Sequence, residues 1–165
     1  MKEIPLTRGQ VALVDDDDYD YLVQYNWYVT KRGNTFYAIR SLPRVDGKQT
    51  HIAIHREILN PPDSMQIDHI NRDGLDNRKE NLRLATNSQN HINIPKRRGS
   101  SRYKGVYWNK EHNKWAAKVT INNKTLFLGY FDTESIAAGV YNQFASSNFG
   151  EFALLNIITP DVPIS

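Results

Sequence analysis

Apolar positions in this chain come in short blocks, and their spacing changes from block to block. "VALV" at Val11–Val14 is a run of strand length; after four aspartates, "YDYLVQYNW" carries its apolar residues at helical spacing. In "WYVTKRGNTFYAIRSL" apolar residues alternate on both sides of "KRGN", the pattern of a hairpin closed by a tight turn. "THIAIHREIL" reads as a strand running into a short helix that "NPPDSM" stops. "QIDHI" and "LRLAT" are two further strands. Between them lies "NRDGLDNRKEN", rich in residues that make turns and local side-chain hydrogen bonds, so an ordered loop is predicted. "NSQNHINI" follows as a helix capped by Thr86 or Asn87, with Asn90 in its first turn.

Further along, "RYKGVYWN", "KWAAKVTI" and "KTLFLGYF" are three strand-like runs. "KEHN" joins the first two, and Asn122–Asn123 forms a tight turn between the others because Asn tolerates positive φ. "DTESIAAGVYNQFASSNFG" has an Asp/Thr cap, and Ile136, Val140, Tyr141 and Phe144 at helical spacing; Gly150 is placed to end the helix. A three-stranded antiparallel sheet with one packed helix is predicted. The whole is α+β. Pro95, a basic triplet, Gly99 and two serines mark the boundary in "IPKRRGSSRYKG". The expected division is a first domain at 1–95 with its strand–strand–helix core at about 66–94, a basic linker at 96–101, a second domain at 102–157 and a tail at 158–165.

Charge sharpens this division. Residues 1–95 carry 12 Lys/Arg and 13 acids, residues 96–131 carry 9 and 1, and residues 132–165 carry none and 4. A concentrated positive field interleaved with aromatics suits a polyanion such as nucleic acid better than a solvated basic face. With no cysteine, disulfides and thiolate zinc sites are excluded. No apolar run approaches the roughly 18 residues of a membrane span, and "MKEIPLTRGQ" has no secretory core, so a cytoplasmic, non-secreted protein is expected.

Two acidic features invite chemistry. "DDDD" at 15–18 reads as a metal site or as a helix cap; Asp at a helix start accepts backbone N–H bonds and opposes the dipole, which favours the cap. Asp68 and His69 are adjacent in a predicted strand, where consecutive side chains point to opposite faces. A single site using both therefore requires them at a strand end.

The residues "DH" at 68–69, "DNRKENLRLAT" at 76–86 and "SQN" at 88–90 resemble the HNH endonuclease motif, over roughly residues 51–94. "IHREIL" and "PLTRGQVALVDDDD" are similar to phage-type members. The resemblance implies a ββα-metal nuclease fold in which His69 is the general base. Asp68 and Asn90 hold a divalent metal, most simply Mg²⁺ with Mn²⁺ as the other candidate, and His91 is the alternative ligand. Asn81 braces the loop and orients His69. Arg72, Arg78 and Arg83 are candidates for phosphate contacts. The residue types suit that chemistry: a neutral imidazole is a base near pH 7, and a hard cation takes oxygen ligands. His55 is left between a site role and a structural one; His51 and His112 carry no signal.

"YKGV", "KWAAKV", "LGYFDTESIAAGVYN" and the closing "GEFALLN" resemble the AP2 DNA-binding domain over residues 101–156. The resemblance implies that the sheet enters the major groove of double-stranded DNA. Arg102, Lys104, Trp108, Trp115, Lys118 and Lys124 are the candidates for its exposed face, beside Arg97 and Arg98 of the linker. For Trp115, stacking on DNA and packing in the core stay equally open. The expected function is a homing-type HNH endonuclease targeted by an AP2-like domain, with no obligate protein partner. The alternative is a sequence-specific DNA-binding regulator with an inactive HNH fold.

Overall fold

The computed structural model describes residues 1–96, 98–122 and 124–159. It is a mixed α/β structure of small antiparallel sheets and short helices, and it divides into two compact units, Met1–Asn90 and the chain from His91 onward. Among the described residues no helix is long and apolar enough to cross a membrane. Arg97, Asn123 and residues 160–165 of the expected tail lie outside the described residues.

In the first unit, β1 (Lys2–Pro5) pairs with β2 (Val11–Val14), setting Ile4 opposite Ala12. The alternation of β2 buries Ala12 and Val14 completely. α1 (Asp16–Leu22) adds Leu22 to that core, and Trp27 donates its indole N–H to the Leu22 carbonyl at 2.8 Å. β3 (Tyr28–Arg32) and β4 (Thr35–Ser41) form the hairpin expected at "KRGN", turned by Gly33 at φ 61°. β5 (His51–Ala53) joins the far edge of β4 and passes straight into α2 (Ile54–Leu59), which ends at left-handed Asn60. Arg40 of β4 and Glu57 of α2 form a two-pronged ion pair at 2.6 and 3.0 Å that ties the helix to the sheet.

β6 (Gln66–His69) and β7 (Leu82–Ala85) pair antiparallel, with Asp68 opposite Arg83 and His69 opposite Leu82. α3 (Asn87–Ile92) follows. Thr86 caps it: the Gln89 N–H donates to Thr86 Oγ1 and the Thr86 N–H to Gln89 Oε1, a reciprocal box. The intervening loop is fastened by backbone bonds to β2, from Leu13 N–H to the Leu75 carbonyl and from Asn77 N–H to the Leu13 carbonyl, both 2.8 Å.

The aspartate run corrects one expectation. Asp15 sits at the cap position of α1 but makes no side-chain cap bond. Its Oδ2 accepts the Lys79 N–H at 2.8 Å, and Asp18 pairs with the Lys79 ammonium at 2.9 Å. The long-range partner wins because it satisfies a loop donor 64 residues away and adds an ion pair, while Asp16, Asp17 and Asp18 still face the helix N-terminus.

In the second unit, β8 (Val106–Asn109), β9 (Lys114–Ile121) and β10 (Lys124–Phe131) form one sheet in the order β10-β9-β8, crossed by α4 (Glu134–Phe149). Thr133 caps α4 and Gly150 ends it. The buried stripe of α4 is Ala137, Ala138, Tyr141 and Ala145; its three alanines let the helix lie close against the sheet, and Tyr141 fills the core between them. Ile136, expected in that stripe, is 52% exposed, because the buried arc is centred one residue later. The first strand starts at Val106, four residues later than "RYKGVYWN" suggests, because Gly105 at φ 77° breaks the extended run. Asn156 clasps the unit shut: its amide bonds the Lys104 backbone N–H and C=O at 2.6 and 3.1 Å, while Asn142 bonds the Asn156 backbone.

Candidate functional site

His69 ends β6 with 5% exposure. Its ring lies edge-on to His55 at 5.0 Å and to Tyr37 at 5.8 Å. Its Nε2 is 3.4 Å from Asn77 Oδ1. The Asn77 amide is oriented by its Nδ2, which donates to the Leu75 carbonyl at 2.9 Å, so the oxygen faces the imidazole. A carbonyl oxygen only accepts, so this contact selects the tautomer protonated on Nε2 and leaves Nδ1 as the basic nitrogen. Burial pulls the His69 pKa below 6.5, against the opposing hydrogen bond from Asn77 and the carboxylates of Asp68, Asp73 and Asp76. The imidazole is thus held neutral at physiological pH.

His55 is partly buried beside it. Its pKa is lowered to about 3, by burial first and then by His69, Arg56 and Arg32, and its buried Nδ1 has no hydrogen-bond partner. Both histidines titrate lower in the folded state than in the unfolded chain, so the unfolded chain binds more protons below about pH 6.5. Stability of the first unit is therefore full above that pH and falls as acid is added, for His55 until its folded pKa near 3. Each such group steepens the loss by up to about 1.4 kcal/mol per pH unit. Urea unfolding between pH 7 and 5 is expected to show a falling midpoint, with His55→Leu flattening the fall; an unchanged pH slope in that variant would contradict it.

Asp68 lies on the opposite face of β6, 5% exposed. Arg83 grips its Oδ2 through Nε at 2.8 Å and Nη2 at 2.6 Å. Gln66, two residues along the same face, accepts from Asn90 Nδ2 at 2.6 Å and so ties α3 to this face. Asn90 thereby commits its nitrogen, and its amide oxygen is the atom that could take a ligand. His91 is exposed on the next position of α3. One carboxylate and one amide oxygen fit a hard cation that keeps water and phosphate oxygens as its other ligands. Among the described residues no group of three or more His, Asp or Glu forms a metal cage.

Asn81 is buried, and both ends of its amide serve the loop: Oδ1 accepts the Asn71 N–H at 2.9 Å and Nδ2 donates to the Asp76 carbonyl at 2.7 Å. The bracing role expected of Asn81 has this geometry, but the side chain that meets the His69 ring is Asn77. Sequence reasoning assigned Asn77 no role, although it stands within "DNRKENLRLAT"; an Asn in a loop gives no sign of which neighbour it faces. Of the three candidate arginines, Arg83 is committed to Asp68. Arg78 is held by Asp76 at 2.7 and 2.8 Å, and that guanidinium depresses the Asp76 pKa. Arg72 is exposed at φ 68° on the loop.

In the second unit the sheet's two faces separate the expected contact residues. Trp115 packs on the core formed by Val106, Ala117, Ala137 and Ala138. Trp108, two residues from Val106 and opposite Trp115, lies on that same helix side, edge-on to Trp115 at 5.2 Å. Trp108 is thereby corrected from the exposed face to the helix side, and of the two readings open for Trp115 the structure shows packing. Lys124 pairs with Ile121, which packs under α4, so it too belongs to the helix side. Lys104 donates its ammonium to the carbonyls of Ile92 and Ile94, and Arg102 pairs with Glu134 at 3.5 Å. Arg98 is exposed ahead of the sheet. Of the six sheet candidates only Lys118 stands on the outer face, over the Tyr107 ring at 4.9 Å. Phe127 and Tyr130, 47% and 39% exposed, share that face.

Comparison with known proteins places these features. The HNH endonuclease family matches residues 60–92. An uncharacterized HNH endonuclease of Acanthamoeba polyphaga mimivirus is 35% identical over 153 residues, covering 92% of this chain and 77% of the relative. Protein 3.8 of Escherichia phage T7 is 33% identical over 94 residues, 55% of this chain and 77% of its own length. The AP2-like ethylene-responsive transcription factor PLT2 of Arabidopsis thaliana is 39% identical over 64 residues, 38% of this chain and 11% of its own. No solved structure matches.

Proposed function

The chain belongs to the HNH endonuclease family, and from that premise we propose that it is a divalent-metal-dependent endonuclease of the homing type that cleaves double-stranded DNA, its first unit a ββα-metal nuclease and its second an AP2-like targeting domain. The observation that carries this reading is the neutral, tautomer-selected His69 at the end of the strand whose other face presents Asp68. His69 takes a proton from the attacking water at Nδ1 while Asn77 holds Nε2. Asp68 and the Asn90 oxygen would hold the cation, which supplies positive charge against the crowded phosphate and the departing 3′ oxygen. HNH nucleases are generally divalent-metal dependent; Mg²⁺, with Mn²⁺ as the other candidate, suits the oxygen donors. Arg83 positions the Asp68 carboxylate, and Asn81 keeps the loop in shape. Among the candidates, Arg72, Arg98 and Lys118 are exposed cations open to phosphate. In this reading the protein works in the cytoplasm and without an obligate protein partner.

A second reading, a DNA-binding regulator, draws on the grip of Arg83 on Asp68, which competes with a cation for the same carboxylate. Supercoiled plasmid separates the two. The nuclease reading expects nicked or linear product with Mg²⁺ and none with EDTA. Intact plasmid under both conditions, with DNA still bound, would establish the regulator.

A further inference from the structure

β10 carries a bulge. Its register with β9 shifts between Phe127 and Gly129, so Phe127 lies opposite Lys118 while Gly129 lies opposite Ala117. The extra residue, Leu128, packs inward against both core clusters of the unit. In a regular strand residues 127 and 130 would point to opposite faces. The bulge instead sets Phe127 and Tyr130 side by side on the outer face, ring centroids 4.7 Å apart. Burying Leu128 accounts for the bulge only in part; a second exposed aromatic on the open face adds nothing to the core.

The rings are arranged as a ridge and not as a platform. His112 stacks on Tyr130 at 4.2 Å and 17°, and the Lys118 ammonium covers Tyr107 at 4.9 Å. A base stacks on an open ring face, and both tyrosines have one face taken. What the ridge offers is ring edges and apolar surface, flanked by the hydroxyls of Thr120 and Thr125. Charge names the partner class: residues 96–131 hold 9 Lys/Arg against one acid. Yet no arginine occurs between Tyr103 and Phe131, so the strands lack the forked donor that reads guanine. The base feature that suits an apolar ridge in the major groove is the thymine C5-methyl group.

We propose that the outer face of this sheet selects A·T pairs in duplex DNA by contact of Phe127 and Tyr130 with thymine methyl groups, with Lys118 supplying charge beside them. This rests on the reading of the second unit as a sheet that docks on duplex DNA. The test uses the full chain in EDTA, so that nothing is cut, and measures affinity for three probes by fluorescence anisotropy: an alternating dA·dT duplex, the same duplex with deoxyuridine for thymidine, and the single strand of a mixed T-rich sequence. Deoxyuridine removes only the methyl groups. Wild type is expected to bind the thymidine duplex about threefold or more tightly than the deoxyuridine duplex. Phe127→Ala/Tyr130→Ala, at exposed positions, should lose that difference while keeping a salt-dependent affinity for both. Equal affinity of wild type for the two duplexes overturns the proposal but leaves duplex docking standing, as does a difference that survives in the variant. Tighter binding of the single strand overturns it in favour of stacking. Failure to bind either duplex removes the docking reading and the proposal together.

Discussion

His69→Ala lowers DNA cleavage by about 10²- to 10⁴-fold, the range a positioned general base contributes, while affinity for duplex DNA stays within about twofold. The first half follows from the proposed site: burial lowers the pKa of the imidazole and keeps it neutral, and Asn77 Oδ1 faces its Nε2, which makes Nδ1 the basic nitrogen of that tautomer. The second half follows because the proposed DNA anchor lies in the other unit. A buried histidine also packs, so the substitution needs a control for folding. His69→Gln fills more of the space and keeps a polar tip without an imidazole's basicity. Both variants are expected to unfold near the wild-type temperature and to nick plasmid equally slowly. Cleavage by either at the wild-type rate would assign the base elsewhere.

Gly105→Ala unfolds the second unit and removes most of the affinity for DNA, leaving the first unit's thermal transition in place. Gly105 has φ 77°, where an added Cβ costs about 1 kcal/mol. That Cβ would also collide with the Cδ2–Cε2 edge of the Tyr141 ring and lie 2.7 Å from the Lys118 carbonyl oxygen. Neither neighbour can give way: Tyr141 is 2% exposed at the centre of its core cluster, where burial raises its pKa to about 12, and Lys118 is in the central strand. Strain and overpacking together cost about 3–5 kcal/mol, comparable with the whole stability of a unit this small. Calorimetry of the full chain checks it. Two unshifted transitions would show that the helix and sheet can part without penalty, against the packing described here.

Much of the local structure is readable from the residues. Val11–Val14, the "KRGN" hairpin, the strand-to-helix passage at His51–Leu59 and the Thr86 cap all depend on neighbours within a few residues, and these appear where the pattern puts them. Asp68, His69 and Asn81, singled out by their motif, are each buried, but the side chain facing the His69 ring is Asn77 and not Asn81. What escapes is whatever depends on the other side of a sheet. Alternation says that Trp115 and Lys118 point opposite ways, but not which of the two α4 covers; it covers the side of Trp115, which packs partly buried against the core. The bulge in β10 reverses the face of every later residue, and no local signal besides Gly129 announces it. Asp15 has the composition of a cap and yet serves Lys79, because a partner distant in sequence outbids a local one.

The fastening of the site loop to β2 bears on how the first unit assembles. Leu13 must meet Leu75 and Asn77, and Asp15 must meet Lys79, across separations of more than 60 residues. Such pairings pay their loop-closure entropy before they return any contact energy, so they form late and open early. The hairpin of β3 and β4 closes over two residues and has no such delay. His69 and Asp68 are therefore expected to come together only late in folding, and a partly folded first unit to carry the residues of the proposed nuclease site without activity.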